Sequence, residues 1–169
     1  MLLHCQIKFG YNSNKIKRKM RVVIQRAKEA SVTIDGEVHS QIGPGLMVLA
    51  CVEEGDTVGE MEWIAEKLVK LRIFDDEDGV MNRSVMDVDG DILIVSQFTL
   101  VASTRKGNRP SYIRAGKGPD AVGLYEAFVA RVGSLAGKEI RTGVFGADMK
   151  VSLVNDGPVT IIVDSRLKE

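Results

Sequence analysis

Strand-length apolar runs, each cut short by turn residues, recur from Arg21 to Val163, and only two segments of the chain keep helical spacing. Arg21 to Ala27 and Ala30 to Ile34 alternate apolar and polar side chains, the pattern of strands buried on one face. Asp35-Gly36 is a hairpin turn signal. Gly43-Pro44-Gly45 breaks the chain before the fully apolar Leu46 to Ala50. Arg72 to Phe74 is short and strand-like, and the acidic loop Asp75 to Gly79 follows it. Ile92 to Val101 is the most apolar run and is expected to lie centrally in a sheet. Lys150 to Val154 and Val159 to Val163 read as the final two strands.

The two helical segments have their own punctuation. Asp56 or Thr57 is placed to cap the first, in which Met61, Ile64, Ala65, Leu68 and Leu71 share a face. Gly118-Pro119-Asp120 opens the second, with Tyr125, Phe128, Val129, Val132, Leu135 and Ala136 as its apolar stripe and Gly137 as its stop. No long period recurs, which excludes a solenoid. The pattern predicts a single α+β domain: a curved antiparallel sheet, or partial β-barrel, with two covering helices.

The 169 residues carry 23 basic and 23 acidic side chains, so the molecule as a whole does not attract nucleic acid electrostatically. The charge is unevenly spread. Residues 1–19 hold Lys8, Lys15, Lys17, Arg18, Lys19 and no acid, leaving the expected domain, 20–169, net acidic. That arm reads as a disordered basic extension or an upstream start, or alternatively as an organelle address. With Cys5 and Cys51 the only cysteines, no disulfide framework is expected, and a reducing compartment, the cytoplasm, fits best. No apolar run is long enough for a bilayer span, so no membrane partner is expected.

The chemistry is limited by what is missing. His4 lies in the arm and His39 in a polar strand, neither between partners as a triad histidine is. No metal-ligand spacing and no Gly-rich phosphate loop is present. Asp75, Asp76 and Asp78 fall short of a calcium loop, because Met86 stands where its last glutamate belongs. No metal or other cofactor is expected.

Two segments stand out against that background: Ser96-Gln97-Phe98-Thr99-Leu100 after the apolar Ile92 to Val95, and Asn155-Asp156-Gly157-Pro158-Val159-Thr160 between the last two predicted strands. Backbone N–H groups at Phe98 and Thr99, at a strand end, can serve as an oxyanion site. Thr99 reads as a positioning hydroxyl, as a nucleophile lacking an adjacent base, or as a β-branched strand residue. Ser96 and Gln97 offer polar groups for a ribose or base, or are merely hydrated. Arg105, Lys106, Arg109, Arg114 and Lys117, with no acid between Val101 and Pro119, form a phosphate-contacting surface or a solvated basic loop.

The pair of segments resembles the signature of D-aminoacyl-tRNA deacylases, and the resemblance runs from about Met20 to the C-terminus. It implies hydrolysis of the ester joining a D-amino acid to tRNA, with catalysis largely by the RNA's own 2′-hydroxyl. It implies a cis Gly157–Pro158 bond whose main-chain oxygens bar an L-substituent, so that glycyl-tRNA is also cleaved. Arg26 would hold that element in orientation, and Phe145 and Met149 would line an adenosine pocket. Core packing accounts for those two almost as well. The resemblance also implies a homodimer with the active site at the interface, the Gly-Pro element of one subunit entering the other's pocket.

Overall fold

The computed structural model describes residues 20–167. The basic extension predicted over residues 1–19 lies outside them.

The sheet is organised by one long strand, β1 (Arg21–Ile34). The two alternating segments read at its place in the sequence are a single element. Asp35-Gly36 turns it into β2 (Glu37–Ile42), which pairs antiparallel with its second half. β3 (Gly45–Cys51) pairs antiparallel with its first half. Along the other edge of β1 runs the final strand (Lys150–Asp164), also antiparallel. The antiparallel expectation holds for β1 and all its neighbours.

It gives way at the next strand. β3 leads into α1 (Val58–Lys70), a small hairpin of β4 (Phe74–Asp75) and β5 (Met81–Arg83), and then β6 (Asp91–Ser96). β6 pairs parallel with β3, and parallel again with β7 (Arg141–Thr142). Parallel neighbours need a long crossover, which α1 and α2 (Gly118–Ala136) supply in turn. The final strand is β8. The Ser40 hydroxyl of β2 donates to the Thr142 carbonyl of β7 at 2.7 Å, drawing the mixed sheet nearly closed into a barrel.

Alternation along the strands sorts the core into two layers. Val22, Ile24, Leu46, Val48, Ile92 and Ile94 pack under the helices, against Ile64 and Leu68 of α1 and Phe128 and Val132 of α2. Val32, Met47, Leu93 and Val95 point to the other side and fill the barrel. β6 is thus buried on both faces, which is why its sequence is apolar without alternation. Thr57 rather than Asp56 is the cap of α1: Glu60 Oε2 accepts from the Thr57 backbone N–H and hydroxyl, both at 2.8 Å. Gly137 ends α2 in the left-handed region at φ 67°.

Two strand expectations are corrected. The run predicted from Ile92 to Val101 leaves the sheet after Ser96, and Phe98–Val101 forms a 3₁₀ turn. The β3–β6 ladder ends at Ala50 and Ser96, so the apolar residues beyond have no strand to pair with. Conversely, the two strands predicted at the C-terminus are one, continuous through Pro158. Proline is tolerated there because the segment bulges out of the ladder and its missing N–H costs no pairing.

Candidate active site

The first motif turns where the parallel ladder ends. The Gln97 N–H donates to Ala50 O at 2.8 Å, closing the ladder, and the chain then tightens into the 3₁₀ turn. The opening N–H groups of such a turn have no partner within it. Among the described residues, the backbone amides of Phe98 and Thr99 donate to no main-chain carbonyl. The far end is held differently: Arg21 Nη1 donates to Leu100 O and Arg114 Nη2 to Val101 O, each at 3.0 Å. Arg21 is itself fixed by the buried Asp164 at 2.8 Å.

Ser96, Gln97 and Phe98 form one wall of a cleft of about 730 Å³, and Phe145 and Met149 line it from the loop after β7. The structure therefore brings together five residues from two separate motifs. Thr99 is absent from the lining and reaches the cleft through Gln97, whose Nε2 donates to its hydroxyl at 2.5 Å. Two lining residues, Tyr112 and Cys51, and one residue behind the lining, Tyr125, have no signal as site residues in the sequence. Tyr112 packs edge-on against the 56% exposed Phe98, ring centres 5.1 Å apart. Tyr125, whose hydroxyl donates to Ile94 O, braces Phe145 from behind at 5.6 Å. Cys51 lies in the floor, its thiol donating to Phe98 O at 3.6 Å.

Among the described residues the side-chain hydrogen bond to the Thr99 hydroxyl comes from a neutral amide, Gln97, and not from a base. Burial, with help from the charges of Glu53 and Asp56, pushes the Cys51 thiol up to about 12, so it remains a neutral donor. Asp148 is paired with Lys150 at 2.8 Å. His39 sits exposed on β2, outside the lining residues. What the cleft offers is an apolar, aromatic-flanked slot beside a turn whose first two amides donate to no main-chain carbonyl among the described residues. Such a site can hold a planar ring and stabilise an oxyanion; the carboxylate in its lining, Asp148, is held by Lys150.

The second motif is a bulge. Gln25 pairs with Thr160 and Ala27 with Asn155, so Arg26 alone faces the four residues Asp156 to Val159. Asn155 staples the base: its Oδ1 accepts from the Val159 N–H and its Nδ2 donates to the Thr160 hydroxyl, both at 3.1 Å. The Gly157–Pro158 bond is cis. Gly157 has φ 121°, and a Cβ there would stand 3.0 Å from Arg26 Nη2, so backbone conformation and crowding both require glycine. Arg26 is 8% exposed, and its Nε donates to Asp156 O at 3.2 Å. Gly157 and Pro158 are exposed and are not among the residues that line the cleft.

The basic segment divides. Arg114, though exposed, is engaged locally, its Nη2 donating to Val101 O and its Nη1 3.9 Å from the buried Glu53 carboxylate. Lys117 caps α2 and lines the cleft. Arg105, Lys106 and Arg109 remain exposed, with no ion pair among the described residues. Asp76 is a turn residue: its carboxylate accepts from the N–H groups of Asp78 and Val80, which holds it below the usual carboxylate range.

A family model described as D-Tyr-tRNA(Tyr) deacylase matches residues 23–164 of this chain. The D-aminoacyl-tRNA deacylase of Parabacteroides distasonis is 59% identical over 150 residues, 89% of this chain and 100% of that protein. The protein of the same name from Flavobacterium johnsoniae is 57% identical over an equal span. A solved structure described as c-Myc DNA Unwinding Element Binding Protein superposes with a TM-score of 0.79 at 41% identity, covering 85% of this chain and 97% of that one. Another, described as a probable eukaryotic D-amino acid tRNA deacylase, gives 0.74 at 18% identity over 86% of this chain and 99% of the other, a likeness of fold.

Proposed function

Since the chain belongs to the D-aminoacyl-tRNA deacylase family, we propose that it hydrolyses the ester of D-aminoacyl-tRNA, releasing free amino acid and tRNA. The observation that carries this reading is the cleft at the end of β6. A turn whose first two amides have no main-chain partner among the described residues stands there beside an aromatic-flanked slot, and the Thr99 hydroxyl is engaged by the Gln97 amide rather than by a base.

In this reading the terminal adenosine lies against Phe145 and Met149, and Ser96 and Gln97 contact its ribose or base. Water adds to the ester carbonyl, and the bond to the ribose oxygen breaks. The Phe98 and Thr99 amides stabilise the oxyanion that develops between those two events. The neighbouring 2′-hydroxyl of the substrate orients the water, the part that no side chain here is placed to play. Thr99 acts by fixing Gln97 and the turn, not by attacking the carbonyl.

Handedness is judged elsewhere. Gly157 and Pro158 present main-chain oxygens that clash with an L-side chain, and glycyl-tRNA, lacking one, is cleaved too. Their exposure and absence from the cleft lining support a homodimer in which the bulge of one subunit enters the cleft of the other. Exposed Val154 and Ile162 on β8 are suited to the interface. Arg105, Lys106 and Arg109 contact acceptor-stem phosphates without reading sequence. Among the described residues no helix is long and apolar enough to cross a membrane, and the cytoplasm is where this substrate is met. The reading calls for no cofactor.

The test is hydrolysis of matched D- and L-tyrosyl-tRNA by the purified protein. Turnover of the D-ester with the L-ester spared supports the reading; binding of both without turnover makes the protein an RNA-binding module instead.

A further inference from the structure

Arg26 bonds to two parts of the chain at once, the bulge of β8 and the entry of the β4–β5 hairpin. On the bulge side, Nε donates to Asp156 O at 3.2 Å and lies 3.4 Å from Asp156 Oδ2, while Nη2 stands against Gly157. On the opposite side, Nη1 donates to Ile73 O at 2.7 Å and to Asp75 Oδ1 at 3.2 Å. Ile73 and Asp75 belong to the entry of the β4–β5 hairpin, which contributes nothing to the cleft lining. That hairpin has its own ties: the Asp76 turn, and Arg72 Nε donating to Asn82 O at 2.8 Å.

A guanidinium is a planar fork, so fixing Nη1 also fixes the directions of Nε and Nη2. The Ile73 carbonyl alone leaves the plane free to rotate about one bond. The Asp75 carboxylate supplies the second point and a charge opposite to a side chain that is 9% exposed. We propose that Asp75 is a specificity-determining positioning residue, acting through Arg26 to hold the Gly157–Pro158 bulge in the orientation that screens the substrate's α-carbon. This rests on the chiral role given to the bulge above.

The test uses the full-length protein with D- and L-tyrosyl-tRNA. Asp75→Asn is expected to lower the ratio of D- to L-hydrolysis about fivefold, the size of one half-exposed ion pair, while kcat for the D-ester and the melting temperature hold. Asp75→Glu restores part of the ratio. Arg26→Ala lowers it further, and adding Asp75→Asn to Arg26→Ala changes nothing more, because the two act as one unit. An unchanged ratio in Asp75→Asn beside a collapsed ratio in Arg26→Ala overturns the inference and leaves the chiral role of the bulge standing. An unchanged ratio in both variants overturns that role, and the inference with it.

Discussion

The side-chain amide of Gln97 donates to the hydroxyl of Thr99 at 2.5 Å. The only hydroxyl of the motif turn thus accepts from a neutral amide, which draws electron density from the oxygen and makes it a poorer nucleophile. Thr99→Val keeps the side-chain shape and removes that acceptor. The rate on D-tyrosyl-tRNA is predicted to fall about tenfold, as for a lost positioning hydrogen bond. A single-turnover assay separates this from a nucleophile, whose removal would leave little beyond background.

Cys51 sits in the cleft floor with its thiol pushed up to about 12, chiefly by burial. A raised thiol pKa means that almost no thiolate exists at neutral pH, and the thiolate is the reactive form. Native protein treated with iodoacetamide near pH 8 is predicted to keep its activity and an unmodified Cys51, read by peptide mass mapping, which separates it from Cys5. Rapid alkylation with loss of activity would contradict the burial argument.

Much of the architecture was legible because it is written in local periodicity. Met61, Ile64, Ala65 and Leu68 of α1, and Tyr125, Phe128 and Val132 of α2, are buried on the face their spacing predicts. The parallel pairing of β6 was not legible, since an apolar run does not say which strand it lies beside. Nor was the exit at Gln97, because Phe98 to Val101 remains apolar after the ladder ends. Among the site residues, both motifs announce themselves by residue type. The company they keep does not: Tyr112 at Phe98, Tyr125 at Phe145 and Asp75 at Arg26 are contacts between segments far apart in the chain.

Asp56 carries a pH prediction. Its carboxyl is raised from 3.8 to about 7, first by burial, then by the neighbouring charges of Glu60 and Glu53, against the lowering effect of the Glu53 N–H that it accepts. An acid with a raised folded-state pKa is favoured by the fold in its protonated form. Its stabilising contribution is full below about 3.8, shrinks as the pH rises and is lost above about 7. Asp56→Asn stays neutral and can still accept from Glu53. The melting-temperature difference, variant minus wild type, is predicted to become more positive between roughly pH 4 and pH 8. A difference constant over that range would contradict it.

Asn155 closes the bulge with its side chain, so Asn155→Ala leaves the Val159 N–H and the Thr160 hydroxyl each short of a partner. The loss is predicted to cost about 1–2 kcal/mol in denaturant unfolding and to weaken discrimination against L-tyrosyl-tRNA more than turnover of the D-ester. Equal losses on both esters would assign Asn155 to general stability alone.

In the proposed reaction the cleft positions a substrate, and that substrate supplies the group that orients water. Single-turnover hydrolysis of D-tyrosyl-tRNA ending in 2′-deoxyadenosine tests this most directly, compared with the ordinary ribose terminus at saturating enzyme. The predicted result is tight binding with the hydrolysis rate reduced by about two orders of magnitude or more. An undiminished rate on the deoxy substrate would contradict it and place the missing chemistry on the protein.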